Sequence, residues 1–204
     1  MKYIDFKEKL EKLKVFSIQD ISLIDENFRL PTLYEWEDKG LVRKIRNKWY
    51  VFNDFEPVDY DYYMIANRIV SPSYISLESA LAHYSVIPES VQQIISITTL
   101  KTQSYDTEFG RFVYKSIKQP LFVGYKVLHT NGIGVKMASL EKALLDTLYL
   151  NSDITSLEDF DGLRYNRILL QEDLDQEMLQ KYLRVFNSRS LEDRVATLLK
   201  YVFD

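Results

Sequence analysis

Apolar positions recur along the first forty residues at helical spacing, and the pattern changes abruptly afterwards. Tyr3, Phe6, Leu10 and Leu13 share one face with Lys7, Lys9, Glu11 and Lys12 elsewhere, which predicts a first amphipathic helix. Ser17 followed by Asp20 has the spacing of a capping box, and Ile18, Ile21 and Ile24 carry an apolar stripe through a short second helix. Pro31 suits the first turn of a third helix and Gly40 the residue just past its end, with Leu33 and Trp36 facing inward. Branched and aromatic residues then fill Leu41 to Ile45 and Trp49 to Phe52, two strands around Arg46-Asn47-Lys48. Three short helices and a hairpin are the element order of a winged helix-turn-helix, expected over residues 1–57.

The stretch from Asn53 to Asp59 breaks the pattern and reads as a linker into a second unit, residues 58–204. That unit opens with helices near Tyr60–Val70 and Ser76–Val86. Four runs of β texture follow, at Ile94–Thr99, Arg111–Ile117, Leu121–Val127 and Ile133–Met137. Lys118-Gln119-Pro120 and Thr130-Asn131-Gly132 are short enough for hairpins, so the sheet is predicted to be mainly antiparallel. Helical periodicity returns from Leu140 and ends on Leu191, Val195, Leu198, Leu199 and Val202 behind a Ser190/Asp193 cap. The expected class is α+β, a winged helix-turn-helix before a mixed domain with carboxyl-terminal helices.

Composition narrows the chemistry. The 204 residues are 46% hydrophobic with 6 glycines and 5 prolines, a folded rather than disordered profile. With no cysteine there is no disulfide, thiolate metal site or cysteine nucleophile, which fits a reducing cytoplasm. Charges are mixed into the first turns, and no apolar run approaches the ~20 residues of a membrane span, so the chain is expected to be neither exported nor inserted. Residues 1–57 hold 11 of the 26 basic and 11 of the 30 acidic side chains, which leaves the net charge of -4 to the second unit.

Within that neutral first unit the run Leu41–Phe52 holds Arg43, Lys44, Arg46 and Lys48 and no acid. Cations on such a ribbon can meet backbone phosphates, an attraction that is long ranged and independent of sequence; the same run also suits a solvated hairpin. Arg29, Thr32 and Tyr34 flank or open the third helix. Glu35, Glu37 and Asp38 make that helix acidic, so affinity for DNA is expected to lean on the wing and the helix start. A winged helix that docks a protein is the alternative.

Catalytic signals are sparse. Only His83 and His129 are present, and a zinc site would need carboxylates to complete it. Asn131-Gly132-Ile133-Gly134 lacks the third glycine and following helix of a dinucleotide loop, and no Lys-Ser/Thr phosphate loop or Gly-x-Ser-x-Gly elbow occurs. Asp59-Tyr60-Asp61 has the spacing of a magnesium-binding pair but sits at a helix start. Glu37-Asp38-Lys39 imitates the end of a nuclease motif on a helix. The expectation is a non-enzyme without cofactor or metal.

Pro72-Ser-Tyr-Ile-Ser-Leu-Glu-Ser-Ala-Leu-Ala-His-Tyr-Ser-Val-Ile-Pro-Glu89, Thr98-Thr99, Phe122-Val-Gly-Tyr125 and Gly134-Val-Lys-Met-Ala-Ser-Leu-Glu-Lys-Ala-Leu-Leu-Asp146 resemble, in this order behind a winged helix, the AbiEi-type antitoxin family of abortive-infection systems. The resemblance spans about residues 5–150. It implies a repressor of its own operon that binds double-stranded operator DNA through Arg29, Thr32, Tyr34, Arg43, Lys44, Arg46 and Lys48. It also implies a type IV toxin-antitoxin pairing, in which the second domain opposes a nucleotidyltransferase-type toxin without a stable complex. Departures are Ser85, where the family often has glycine, Asn47-Lys48, where glycine often closes the wing, and the acidic third helix.

Overall fold

A computed structural model describes the whole chain except residues 59, 89–92 and 131–132. The first fifty-two residues form α1 (Tyr3–Leu10), a 3-10 turn (Glu11–Leu13), β1 (Val15–Ser17), α2 (Ile18–Ile24), α3 (Leu30–Asp38), β2 (Val42–Arg46) and β3 (Trp49–Phe52). The anticipated caps are present. Ser17 and Asp20 form a reciprocal capping box on α2, and α3 ends in a Schellman arrangement. In it Gly40, at φ +66, donates its N–H to Glu37 O, and Leu41 N–H reaches Trp36 O. The periodicity did not reveal β1, a three-residue strand that adds to the hairpin and gives an antiparallel sheet of order β1-β3-β2.

Pleating gives this small sheet two buried faces, because alternate residues of a strand point to opposite sides. Phe16, Tyr50, Phe52 and Val42 turn toward Phe6, Leu10, Ile21, Leu33 and Trp36 and make an aromatic core beneath the helices. Val15, Val51 and Ile45 turn the other way and join the core of the rest of the chain. The hairpin is therefore a shared wall.

The remainder comprises α4 (Tyr60–Ile69), β4 (Ser73–Ile75), α5 (Leu77–His83), β5 (Gln93–Thr98), β6 (Gln103–Thr107), β7 (Gly110–Ser116), a 3-10 turn (Gln119–Leu121), β8 (Tyr125–Thr130), β9 (Ile133–Ala138), α6 (Leu140–Leu150), α7 (Leu157–Leu163), α8 (Arg167–Asp173), α9 (Gln176–Phe186) and α10 (Arg189–Phe203). Six strands make one sheet of order β6-β7-β5-β4-β9-β8. The sheet is mixed: β5 runs parallel to β7 over six residues and β4 is parallel to β9, while the other three pairings are antiparallel.

Three expectations are corrected. The stretch Leu121–Val127 becomes strand only at Tyr125, and Lys118-Gln119-Pro120 leads into a 3-10 turn rather than closing a hairpin. As a result β7 and β8 lie on opposite sides of the sheet. The apolar run of β5 marks the cause: a strand buried on both faces sits inside a sheet, where the neighbours that pair with it need not be adjacent in sequence. Finally, α10 is capped by Ser188, whose side chain accepts from Leu191 N–H, and Ser190 lies inside the helix. Its apolar stripe is as expected, with Leu191, Val195, Leu198 and Val202 buried. Residues 131–132 of the other proposed turn lie outside the described residues, and β8 and β9 on either side pair antiparallel.

Candidate nucleic-acid interface

The seven residues expected to meet DNA divide into two groups. Arg29 is the exposed N-cap residue of α3, Thr32 is half-buried in its first turn, and Tyr34 is 46% exposed. Lys44 is exposed on β2, and Lys48 occupies the hairpin turn at φ +70, also exposed. These five are open to solvent or nearly so. Burial, with further contributions from Glu37 and Tyr34, raises the pKa of the Tyr50 hydroxyl, and Tyr50 is the β3 residue paired with Lys44.

Arg43 and Arg46, expected to meet DNA beside Lys44 and Lys48, are half-buried and engaged within the chain. Arg43 stands opposite Val51 on the face that packs against the second half of the chain. Its guanidinium donates to Glu108 Oε2 at 2.7 Å and to Phe55 O, and lies 5.3 Å from the centroid of Phe109. Arg46, displaced by a bulge between Lys44 and Arg46, donates to Ile69 O at 2.9 Å and covers the ring of Tyr105. The alternation of a strand whose two faces are both covered leaves these cations inside a seam, and Nε of each is buried without a partner. Lys14 completes the joint through Asp61, 2.6 Å away.

The motif residues behind the family resemblance meet in one place. Tyr74 and Ser76, on and just after β4, and Lys142 and Asp146, one turn apart on α6, form a fully buried polar cluster. Lys142 Nζ pairs with Asp146 Oδ1 and donates to the Tyr74 hydroxyl at 2.9 Å. The Tyr74 and Ser76 hydroxyls donate to Asp146 Oδ2 at 2.9 and 2.8 Å. Burial pushes the Lys142 ammonium down and the Asp146 carboxyl up, and each opposite charge pulls the other back. Gly124, at φ +78, lies against the Lys142 methylenes, and Phe186 of α9 covers the ammonium at 4.9 Å. With Lys142 and Asp146 both at zero exposure, the cluster clamps β4 to α6 and offers no surface to a substrate. The resemblance gives these residues as motif members without a role; the i,i+4 Lys-Asp spacing in a mainly apolar helix is the signal in the sequence.

The remaining chemical candidates take structural positions. His83 contacts the rings of Tyr60, Tyr63 and Tyr84, and burial lowers its pKa. His129 is exposed on β8. Asp61 accepts from Lys14 and from Val58 N–H, while Asp59 lies outside the described residues. Glu37 and Asp38 belong to α3. Among the described residues no group of three or more metal-ligating side chains converges, and no helix is long and apolar enough to cross a membrane.

No protein-family model matches the chain, and no curated protein matches it.

Proposed function

We propose that this protein is a non-enzymatic DNA-binding regulator whose first unit acts as a winged helix-turn-helix. In this reading it is an antitoxin of the AbiEi type that represses its own operon in the cytoplasm and counteracts a nucleotidyltransferase toxin. What supports it is the succession of α2, α3 and the β2-β3 hairpin, with Arg29, Thr32 and Tyr34 at the open start of α3 and Lys44 and Lys48 exposed on the ribbon. The DNA-facing set is these five, since Arg43 and Arg46 are engaged elsewhere. The family assignment rests on the motif resemblance alone.

Mobility shifts with the region upstream of the gene test the reading. Each phosphate contact contributes about 0.9 to the slope of log affinity against log salt, so Lys44→Glu with Lys48→Glu should lower that slope by about two units. Binding that is indifferent to both salt and this double reversal counts against it.

A second reading, protein docking through the same unit, is favoured by apolar side chains left outside its core: Leu23 is 85% and Ile4 69% exposed. Capture of a stable partner complex together with absent DNA binding at low salt selects it.

A further inference from the structure

Where the two halves of the chain meet, a cleft of about 330 Å³ is lined by Lys12, Leu13, Met64, Asn67, Arg68, Gly134 and Lys136. Three elements build it. The 3-10 turn after α1 supplies Lys12 and Leu13. Met64, Asn67 and Arg68 stand at i, i+3 and i+4 on one face of α4. Gly134 and Lys136, two apart on β9, project to one side of the sheet.

The cleft contains three cations and no carboxylate. Elsewhere at this joint cations have partners, as Lys14 has Asp61 and Arg43 has Glu108. Among the described residues, the side chains of Lys12, Arg68 and Lys136 have no hydrogen-bond or ion-pair partner. The amide of Asn67 is held by Lys136 N–H, which donates to Oδ1 at 2.6 Å, and its Nδ2 is buried without an acceptor. The polar side chains of the wall thus have donors to offer, with the Asn67 carbonyl already engaged. Bringing three like charges together costs free energy unless an anion compensates, and nothing of this kind is needed to hold α4 on the sheet, which packs through Ile65, Ala66 and Ile69.

We propose that this cleft binds a small polyphosphate, a pyrophosphate-like or nucleoside polyphosphate group, between the two halves of the chain. Three cations match the charge of a pyrophosphate group near neutral pH rather than the single charge of a phosphodiester. The volume lies at the small end of the range for small-molecule sites, about 300–1,000 Å³. Leu13 and Met64 supply an apolar wall for the remainder of the ligand. Because Lys12 belongs to the first unit and Arg68 and Lys136 to the second, an occupant ties them together, two residues along the chain from the Lys14–Asp61 pair. The proposal does not depend on the regulator reading, whose test residues Lys44 and Lys48 lie outside the cleft.

Calorimetric titration of the full chain with sodium pyrophosphate and, separately, with a nucleoside triphosphate tests it, beside a short DNA duplex as a third titrant. One saturable site for pyrophosphate is expected. Arg68→Met and Lys136→Met should each weaken it about 10-fold or more, the loss of one charge-assisted hydrogen bond. Lys12→Met, at an exposed position that leaves folding untouched, should weaken it as well, and Lys181→Met on α9 should not. Arg68→Lys keeps the charge and should retain most of the affinity, which separates loss of binding from loss of fold. Absence of saturation at millimolar pyrophosphate overturns the proposal, as does binding unchanged in Lys12→Met and Lys136→Met. If the duplex alone binds and the same substitutions abolish that binding, the cleft belongs to a nucleic-acid backbone and the proposal also fails.

Discussion

The guanidinium of Arg46 lies 3.9 Å from the centroid of the Tyr105 ring. That contact joins the hairpin of the first fifty residues to the edge strand of the large sheet, and it continues inward: Tyr105 meets Tyr114 edge-on, and the Tyr114 hydroxyl donates to Ala66 O at 2.7 Å. The cation thereby joins Val15, Ile45 and Val51, the Arg43–Glu108 pair and the Lys14–Asp61 pair in holding the hairpin to the rest of the chain.

Replacing Arg46 with methionine removes the ring contact and the hydrogen bond to Ile69 O. We expect a loss of about 2 kcal/mol in urea unfolding, against less than about 0.5 kcal/mol for Lys44→Met on the same strand. Equal effects at both positions would contradict the seam described here.

The buried pair on α6 predicts a non-additive cycle. Lys142→Met or Asp146→Asn alone leaves a buried group without its counter-charge and should cost about 3–5 kcal/mol, whereas the double replacement should fall short of the sum by about 1–3 kcal/mol. Denaturant unfolding of the two single variants and the double variant measures the coupling, and strict additivity would show that the pair is not a unit.

Gly124 has a left-handed φ of +78, and a Cβ there would stand 3.0 Å from Cγ of Lys142, a side chain held in place by Asp146. Gly40 has a similar φ of +66 with open space around it. Alanine at Gly40 should cost about 1 kcal/mol for the backbone alone. At Gly124 the added crowding should raise this to about 2–3 kcal/mol. Thermal unfolding of both variants gives the comparison, and Gly124→Ala no worse than Gly40→Ala would refute the packing.

Burial raises the pKa of Tyr74 and Tyr114, with Asp146 adding to the first, while Arg46 partly opposes the second; Tyr84 is pushed up to about 12 by burial, Glu141 and Tyr60. A raised folded pKa means that the unfolded chain loses these protons first, near its ordinary value of 10.0. Stability from them is full below that pH and falls as pH rises toward the folded values. Tyr74 and Tyr114 should each contribute a decline of up to about 1.4 kcal/mol per pH unit. Urea midpoints followed above pH 10, with phenolate absorbance recorded in parallel, should show these rings ionising only as the chain unfolds; gradual ionisation before unfolding would contradict their burial.

Much of the local structure was legible in the residues themselves. Ser17 and Asp20 cap α2, Gly40 terminates α3, and the stripe of Leu191, Val195, Leu198 and Val202 faces inward, because capping, chain reversal and amphipathic spacing act within a few residues. The short strands are not legible in the pattern. Ser73–Ile75 and Gln103–Thr107 carry too little alternation to identify themselves, and only their partners make them strands. Fate of the basic hairpin was likewise undecided in sequence. Arg43, Lys44, Arg46 and Lys48 form one run of equivalent letters, yet the pleat and one bulge send two of them into a seam and leave two in water.

The sequence by itself determined the caps of α2 and α3, which faces the first and last helices bury, and that the net acidity lies after residue 57. Tertiary structure alone decided that the hairpin has a second covered face and that Tyr74, Ser76, Lys142 and Asp146 converge. It alone gathered Lys12, Arg68 and Lys136 around one cleft. Caps and periodicity are set by neighbours along the chain, whereas the environment of a charge is set by groups that sequence separation does not constrain, so a cation's partner is known only once the chain has closed on itself.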